Sequence, residues 1–348
     1  MSAQTPRCAR ETFLPARLAH ETGATMLGLG VALLLGCGQD SGGPVDPVQG
    51  LAPAGARDPG HPQGIVDRVD VVTPWGVAVR DDGLTYFTQL AVGGVGRTST
   101  RTRQVEGFIA TGLAPTGIAM SPDGATVYVA NQVANTVSVI DVAAASVVAE
   151  IAVESPLSLT VSPDGRRLYV GTGSGGDVVV VDLASRTIVR TVAVGEGVNG
   201  FAVAPDGRHL YASSFLSPLV AEIDLETEAV TRTFALGGAP QELALNRRGT
   251  SLYVANEAGY LDEVDLASGQ VIGHLALPGG AFGVGVTPDD GQAYVTLPAQ
   301  GLIQVFRLQP AGLTRTIQVG GEPRRVAFSQ RGRIAAVTNA AGFITFIR

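Results

Sequence analysis

Between residues 115 and 154 short apolar runs alternate with polar breaks. The runs are Gly117–Ser121, Thr126–Asn131, Thr136–Asp141 and Val147–Val153. Segments of this length, rich in Val and Tyr and bounded by Pro, Asp, Gly and Asn, predict four strands joined by tight turns. In Ser121-Pro122-Asp123-Gly124 the proline presets φ, the aspartate can bond the nearby backbone, and the glycine accepts positive φ. Apolar residues fall on both sides of the runs, which predicts strands packed on both faces.

The pattern recurs. A turn ending in glycine appears at Gly83, Gly124, Gly165, Gly207, Gly249, Gly291 and Gly332, at intervals of 41 or 42 residues. Four strands per repeat at this period indicate a β-propeller blade, whereas solenoid repeats of this length are mostly helical. Four copies are regular: Pro115–Glu154, Pro156–Gly195, Val198–Gly238 and Pro240–Gly280. In the first copy Pro74–Arg80 and Leu84–Gln89 fit, but the Gly/Thr/Arg-rich stretch Ala91–Arg103 departs from the third-strand pattern. The copy Ala281–Gly321 reads as carrying a Pro310-Ala311-Gly312 insertion in its last turn. The final copy (Arg325–Phe328, Ile334–Asn339, Phe343–Arg348) stops after three strands, while Ile65–Val72 resembles a fourth strand without the preceding three. Pairing Ile65–Val72 with Phe343–Arg348 completes the last blade and protects its edge. The expected fold is all-β: a seven-bladed β-propeller of four-stranded antiparallel blades over residues 65–348.

The repeats resemble the YVTN family of β-propeller proteins. The tetrapeptide appears as Tyr128-Val129-Ala130-Asn131 and Tyr253-Val254-Ala255-Asn256, with looser forms at Tyr169–Thr172 and Tyr294–Leu297. Ser121–Gly124 and Ser162–Gly165 match its Ser-Pro-Asp-Gly turn, with Ala204–Gly207 close. The resemblance covers residues 65 to 348. It speaks to scaffold rather than to chemistry, because propellers share a fold across many functions.

The chain is 45% hydrophobic and only 16% charged, with net charge −7, and every basic side chain is arginine. That balance argues against a general nucleic-acid surface. Ahead of the repeats, the apolar run Met26–Leu35 is too short to span a bilayer but suits a signal-peptide core. It ends in Leu34-Leu35-Gly36-Cys37, which resembles a bacterial lipobox with Cys37 as the acylated residue. Residues 1–37 are therefore expected to be a signal peptide, and 38–64, rich in Gly, Pro, Asp and Gln, a flexible linker. The expectation is an exported, membrane-anchored lipoprotein on the periplasmic or cell-surface side, monomeric. Gly38 after the cysteine gives no inner-membrane retention signal. Both cysteines, Cys8 and Cys37, precede the repeats, so no disulfide holds the blades.

Propellers present loops on one face around the channel mouth, built from the turns between blades and between strands two and three. The inter-blade positions are Trp75, Thr116, Leu157, Asn199, Gln241, Phe282 and Arg324. The next position prefers glycine: Gly76, Gly117, Gly200 and Gly283 supply it, and Ser158, Glu242 and Arg325 depart from it. The candidate ligand-binding residues are Trp75, Asn199, Gln241, Glu242, Phe282, Arg324 and Arg325. Glu242 and Arg325 pair with each other, face a ligand, or stand as solvated rim charges. An arginine pair beside an aromatic would clamp an anionic or flat ligand. Asn131, Asn256 and Asn339 recur at equivalent positions, which favours turn chemistry over ligand contact.

Catalytic patterns are scarce. His209 and His274 are the only histidines in the repeats, in different blades, so no metal cluster or cofactor is expected. Gly171–Gly176 imitates a phosphate loop but joins two strands, and there is no Gly-x-Ser-x-Gly elbow. Asp141, Asp182, Asp224 and Asp265 repeat at the end of strand three, as turn caps. These features point to a non-catalytic cell-envelope binding or scaffold propeller. Its partner would be an envelope protein, a glycan or a small ligand, recognised at the channel mouth. The alternative is a propeller enzyme similar to streptogramin lyases or propeller lactonases, which need a metal or a His/Glu/Arg constellation there.

Overall fold

The computed structural model describes residues 64–329 and 334–348. Cys37, the expected signal peptide (residues 1–37), all but the last residue of the expected linker (38–64) and the turn at Gly332 lie outside these residues. Twenty-eight strands form seven four-stranded antiparallel sheets. Blade 1 is β2 (Pro74–Val79), β3 (Leu84–Gln89), β4 (Gly94–Ser99) and β5 (Gly107–Ala110). Blades 2 to 6 continue in order as β6–β9, β10–β13, β14–β17, β18–β21 and β22–β25, from Pro115 to Gln318. Blade 7 is β26 (Pro323–Phe328), β27 (Ala335–Asn339) and β28 (Phe343–Ile347), completed by β1 (Ile65–Asp70).

The first strands contact one another in the cycle β2, β6, β10, β14, β18, β22, β26 and back to β2, which closes the ring. Seven apolar clusters fill it, one between each pair of adjacent blades. This is why the inner strands read as apolar on both faces. Val127, Val129 and Ile140 of blade 2 pack against blade 1, while Tyr128, Val137 and Val139 pack against blade 3. The outer strands cover one side only, and β9 (Ser146–Ala152) alternates accordingly.

Closure is as the sequence predicts. β1 runs antiparallel to β28, with Arg68 opposite Thr345 and Asp70 opposite Phe343. The Val71 amide donates to Gly342 O at 2.9 Å and the Arg348 amide to Gly64 O at 2.8 Å. The Arg68 guanidinium lies 3.4 Å from the centre of the Phe343 ring.

Two expectations are corrected. Blade 1 has a regular third strand, β4, despite its glycines. A Cβ on Gly94 or Gly96 would collide with the rings of Phe108 and Phe87, so the glycines make room for aromatics from neighbouring strands. Pro310-Ala311-Gly312 is not an insertion. β24 ends at Arg307 and β25 starts at Gly312, the same four-residue spacing that separates Asp141 from Ser146 in blade 2.

Each sheet places its inter-blade turn and its second-to-third-strand turn at one end, here called the mouth end. The Ser-Pro-Asp-Gly turns lie at the far end. There Asp123 Oδ1 accepts from Ser121 Oγ at 2.5 Å and from the Ala125 amide at 3.0 Å, and Gly124 adopts φ +69°. The strand-three aspartates act as caps, as expected: Asp141 Oδ1 accepts from the Ala144 amide at 2.7 Å and Asp265 Oδ2 from the Ser268 amide at 2.8 Å.

A candidate binding site at the mouth of the ring

The mouth is built on a ring of seven hydrogen bonds between neighbouring blades. Four donors are hydroxyls on the second strand: Thr338 to Trp75 O (2.7 Å), Thr88 to Thr116 O (2.9 Å), Ser213 to Gln241 O and Thr296 to Arg324 O (2.6 Å). In the other three blades this position is Ala130, Gly171 or Ala255, and the first strand supplies the donor instead. Thr116 Oγ1 bonds Leu157 O at 2.8 Å, Ser158 Oγ bonds Val198 O at 3.2 Å, and the Glu242 amide bonds Phe282 O at 3.2 Å. Each bond contributes about 1 kcal/mol net, and an unmade one at a buried site costs more. The same geometry explains the glycine slot. A Cβ on Gly76, Gly200 or Gly283 would run into the neighbouring blade's carbonyl, of Thr116, Gln241 or Arg324.

Where the slot is not glycine, Ser158 turns its hydroxyl to the neighbouring Val198 carbonyl, while the longer side chains of Glu242 and Arg325 extend away from the neighbouring blade. Arg325, in blade 7, reaches across the axis. Its Nη1 donates to Glu242 Oε1 of blade 5 at 2.9 Å, and its Nη2 donates to Asn199 O and Oδ1 of blade 4 at 3.1 and 2.8 Å. Asn199 Nδ2 in turn donates to Gln241 Oε1 at 2.5 Å. The side chains of Arg325 and Glu242 are only 11% and 16% exposed, so they are not solvated rim charges. Glu242 occupies the space that Gly283 leaves free, its Oε2 standing where a Cβ would be crowded.

Arg324 organises the other half. Its guanidinium lies 4.9 Å from the Trp75 ring and 5.0 Å from the Phe282 ring, and the two rings meet edge to face at 5.8 Å. Its Nη2 donates to Glu322 Oε2 at 2.9 Å. Arg325 lies 5.8 Å from the same Phe282 ring, so all seven candidate residues form one connected cluster. The sequence reading missed Glu322, although it stands just before the proline slot and two residues from Arg324.

The cluster is strongly desolvated. Burial pushes the Glu242 carboxyl up despite the Arg325 guanidinium beside it. Burial also pushes the Glu257 carboxyl up, opposed by Arg324, and pulls the Arg324 guanidinium down, opposed by Glu322 and Glu257. Each arginine already has its own carboxylate, so the pair is not set up to clamp an anion. Trp75 Nε1, Arg324 Nε, Arg325 Nε and Glu242 Oε2 are buried without a hydrogen-bond partner in the protein.

Two of the three recurrent asparagines serve the turns, whereas Asn131 Nδ2 donates to Ser138 Oγ at 2.8 Å and Thr136 Oγ1 at 3.1 Å and its Oδ1 has no partner in the protein. Asn339 Oδ1 accepts from the Glu322 and Ala341 amides at 2.7 and 3.1 Å, while its Nδ2 donates to Gly320 O at 2.8 Å. Asn256 does the same and adds a 3.0 Å bond to the buried Asp262, whose other oxygen is 2.5 Å from His274 Nδ1. His274 stacks on Tyr260 at 3.7 Å. Among the described residues no group of three or more His, Cys, Asp or Glu side chains is placed to hold a metal ion. A shallow pocket of about 270 Å³, lined by Thr126, Tyr128, Asp141 and Arg186 among others, lies at the far end and does not join the mouth.

Fold and closure define the chain as a seven-bladed β-propeller. Residues 83–203, about a third of the chain, match the model of the YNCE-like beta-propeller family. Among solved structures, hydrazine synthase of Kuenenia stuttgartiensis superposes with a TM-score of 0.74 at 21% identity, covering 83% of this chain and 99% of that one. That likeness is one of fold. None of the curated proteins matches the chain.

Proposed function

We propose that this protein is a non-catalytic binding or scaffold propeller of the cell envelope, recognising its partner at the mouth end. In this reading Cys37 carries a lipid and residues 38–64 tether the propeller to the membrane. The partner is an envelope protein, a glycan or a small ligand, and the propeller works as a monomer without a cofactor. The observation that carries the reading is Arg325. By crossing the axis to blades 4 and 5 it fills the mouth with the protein's own side chains. A filled, desolvated mouth is a rigid platform for docking, because groups already bonded and buried lose little entropy on binding. Turnover of a small substrate needs reacting groups converging on a space a substrate can enter, and here Arg325, Glu242 and Asn199 are bonded to one another across that space.

Affinity capture from envelope extracts tests this, using the wild-type chain beside Glu242→Leu/Arg325→Met. Partners held by the wild type and lost with the mouth variant are expected. Full retention by the variant would remove the mouth as the site. Turnover of a lactone or lyase substrate by the purified chain, with stoichiometric bound metal, would reverse the choice in favour of an enzyme.

A further inference from the structure

The fourteen turns at the mouth end carry charge in an uneven way. They hold four acids, Glu154, Glu196, Glu257 and Glu322, and no arginine. The first four of these turns, at residues 71–73, 90–93, 111–114 and 132–135, hold no charged residue at all. Each of these four instead exposes one large apolar side chain: Val72 (40% exposed), Val92 (37%), Leu113 (65%) and Val133 (51%). Among the described residues, the other exposed large hydrophobics lie on the outer strands, apart from Leu216 at the mouth end of blade 4.

These four turns are bonded edge to edge. The Leu90 amide donates to Thr73 O at 3.1 Å, the Thr111 amide to Gly93 O at 2.9 Å, and the Gln132 amide to Ala114 O at 3.0 Å. The turns that carry the four apolar residues therefore form one backbone-bonded, preorganised arc spanning the entries to blades 1 and 2. Exposed apolar side chains gathered on one face are what an interaction site presents, and fixed backbone lowers the ordering cost of using it. The rest of the rim carries the four carboxylates. The arginines nearby are already paired: Arg324 and Arg325, both largely buried, with Glu322 and Glu242, and the half-exposed Arg68, stacked on Phe343, with Asp70.

We propose that the occupant of this face is a polypeptide segment with an apolar run at one end and lysines or arginines at the other. The apolar run lies along Val72, Val92, Leu113 and Val133, and the basic end meets the acidic rim led by Glu154 and Glu196. The proposal rests on the mouth-end reading above and specifies the partner of that site. Charge complementarity decides the class. A rim of acids without a free cation repels anionic lipid surfaces and nucleic-acid phosphates, while it steers and orients a basic peptide.

The test pans a displayed random dodecapeptide library against the full chain carrying Cys37→Ser, so that no acyl chain contributes. Enriched peptides are resynthesised and their affinity measured by fluorescence anisotropy at low and high salt. Enriched sequences combine basic residues with a Leu/Val/Phe run. Leu113→Asp/Val133→Asp weakens them at least tenfold, and Glu154→Gln/Glu196→Gln weakens them about threefold and flattens the salt dependence. Ile272→Asp, on the outer strand of blade 5, leaves affinity unchanged. Acidic or uncharged winners, or full affinity in Leu113→Asp/Val133→Asp, would overturn the proposal. Co-sedimentation with phosphatidylcholine or phosphatidylglycerol vesicles that is lost in Leu113→Asp/Val133→Asp would also overturn it, in favour of a lipid surface. Peptides insensitive to the arc but lost with Glu242→Leu/Arg325→Met would sink the arc alone. Peptides insensitive to every mouth-end change would sink the mouth-end reading with it.

Discussion

Removing Arg325 is the perturbation whose cost the structure defines best. Arg325→Met deletes three hydrogen bonds, to Glu242 Oε1, Asn199 O and Asn199 Oδ1, and leaves the Glu242 carboxylate buried without its partner. Breaking a buried pair by removing one partner costs about 3–5 kcal/mol. The side chains keep 11% and 16% of their exposure, so about 3 kcal/mol is the fitting end of that range. Glu242→Leu strands the guanidinium but leaves it the two Asn199 oxygens, and should cost less, about 2 kcal/mol. In Glu242→Leu/Arg325→Met no buried charge remains, and the loss falls to about 2–3 kcal/mol from the unpaired Asn199 groups. The singles therefore add to more than the double, with a coupling of about 2–3 kcal/mol, well above the spread for independent sites. Urea unfolding at pH 7 measures all four corners, and calorimetry should show the Arg325→Met midpoint lowered by about 5 °C. Single losses under about 0.5 kcal/mol without coupling are what exposed rim charges give. That result would refute the picture of a desolvated bridge across the axis.

Gly200→Ala and Gly76→Ala place a Cβ against the Gln241 and Thr116 carbonyls, and each should cost at least about 2 kcal/mol in urea midpoints as neighbouring blades are pushed apart. Gly312→Ala, with nothing near its Cβ, should be neutral in the same assay. Deleting residues up to Val72 strips the partner of β28 and should yield aggregating protein by light scattering, whereas deletion to residue 63 should not. Far-end aspartates set the acid limb of stability. The Arg80 hydrogen bond holds Asp82 down at about 2, and the Ser121 and Ser162 hydroxyls lower Asp123 and Asp164. Their folded values lie below the unfolded value near about 4, so their stabilisation is complete above it and is lost as pH falls toward 2. Asp82→Asn should thus lower stability at pH 7 and converge with the wild type near pH 2. Burial raises Glu242, so it acts oppositely: the fold favours the neutral acid, and that contribution fades as pH rises.

The ring was legible because its causes are periodic. Glycine turns, apolar runs on both faces and complementary end fragments all follow from one blade repeated, and β1 pairs with β28 in the structure as those fragments imply. Blade 1 was harder to read because Gly94 and Gly96 look like strand breakers until Phe87 and Phe108 are seen filling their places. At the mouth, departures from the glycine slot pointed to Glu242 and Arg325. Their bonding was not legible, because a seven-fold repeat does not say which side chain reaches across the axis. Nor was the inter-blade hydrogen-bond ring, since Thr88, Ser213, Thr296 and Thr338 read as ordinary strand residues. The apolar arc was hidden for a similar reason: Val72, Val92, Leu113 and Val133 are far apart along the chain, and only the backbone bonds between their turns bring those turns side by side.

Recognition at the mouth end is the claim on which the functional account stands, and photo-crosslinking in living cells tests it most directly. A benzophenone amino acid is placed at Leu113, on the apolar arc, or at Ile272, equally exposed on an outer strand. The account predicts a discrete adduct from position 113 and none from 272. An adduct from 272 alone would contradict it and move recognition to the outer edge of the blades.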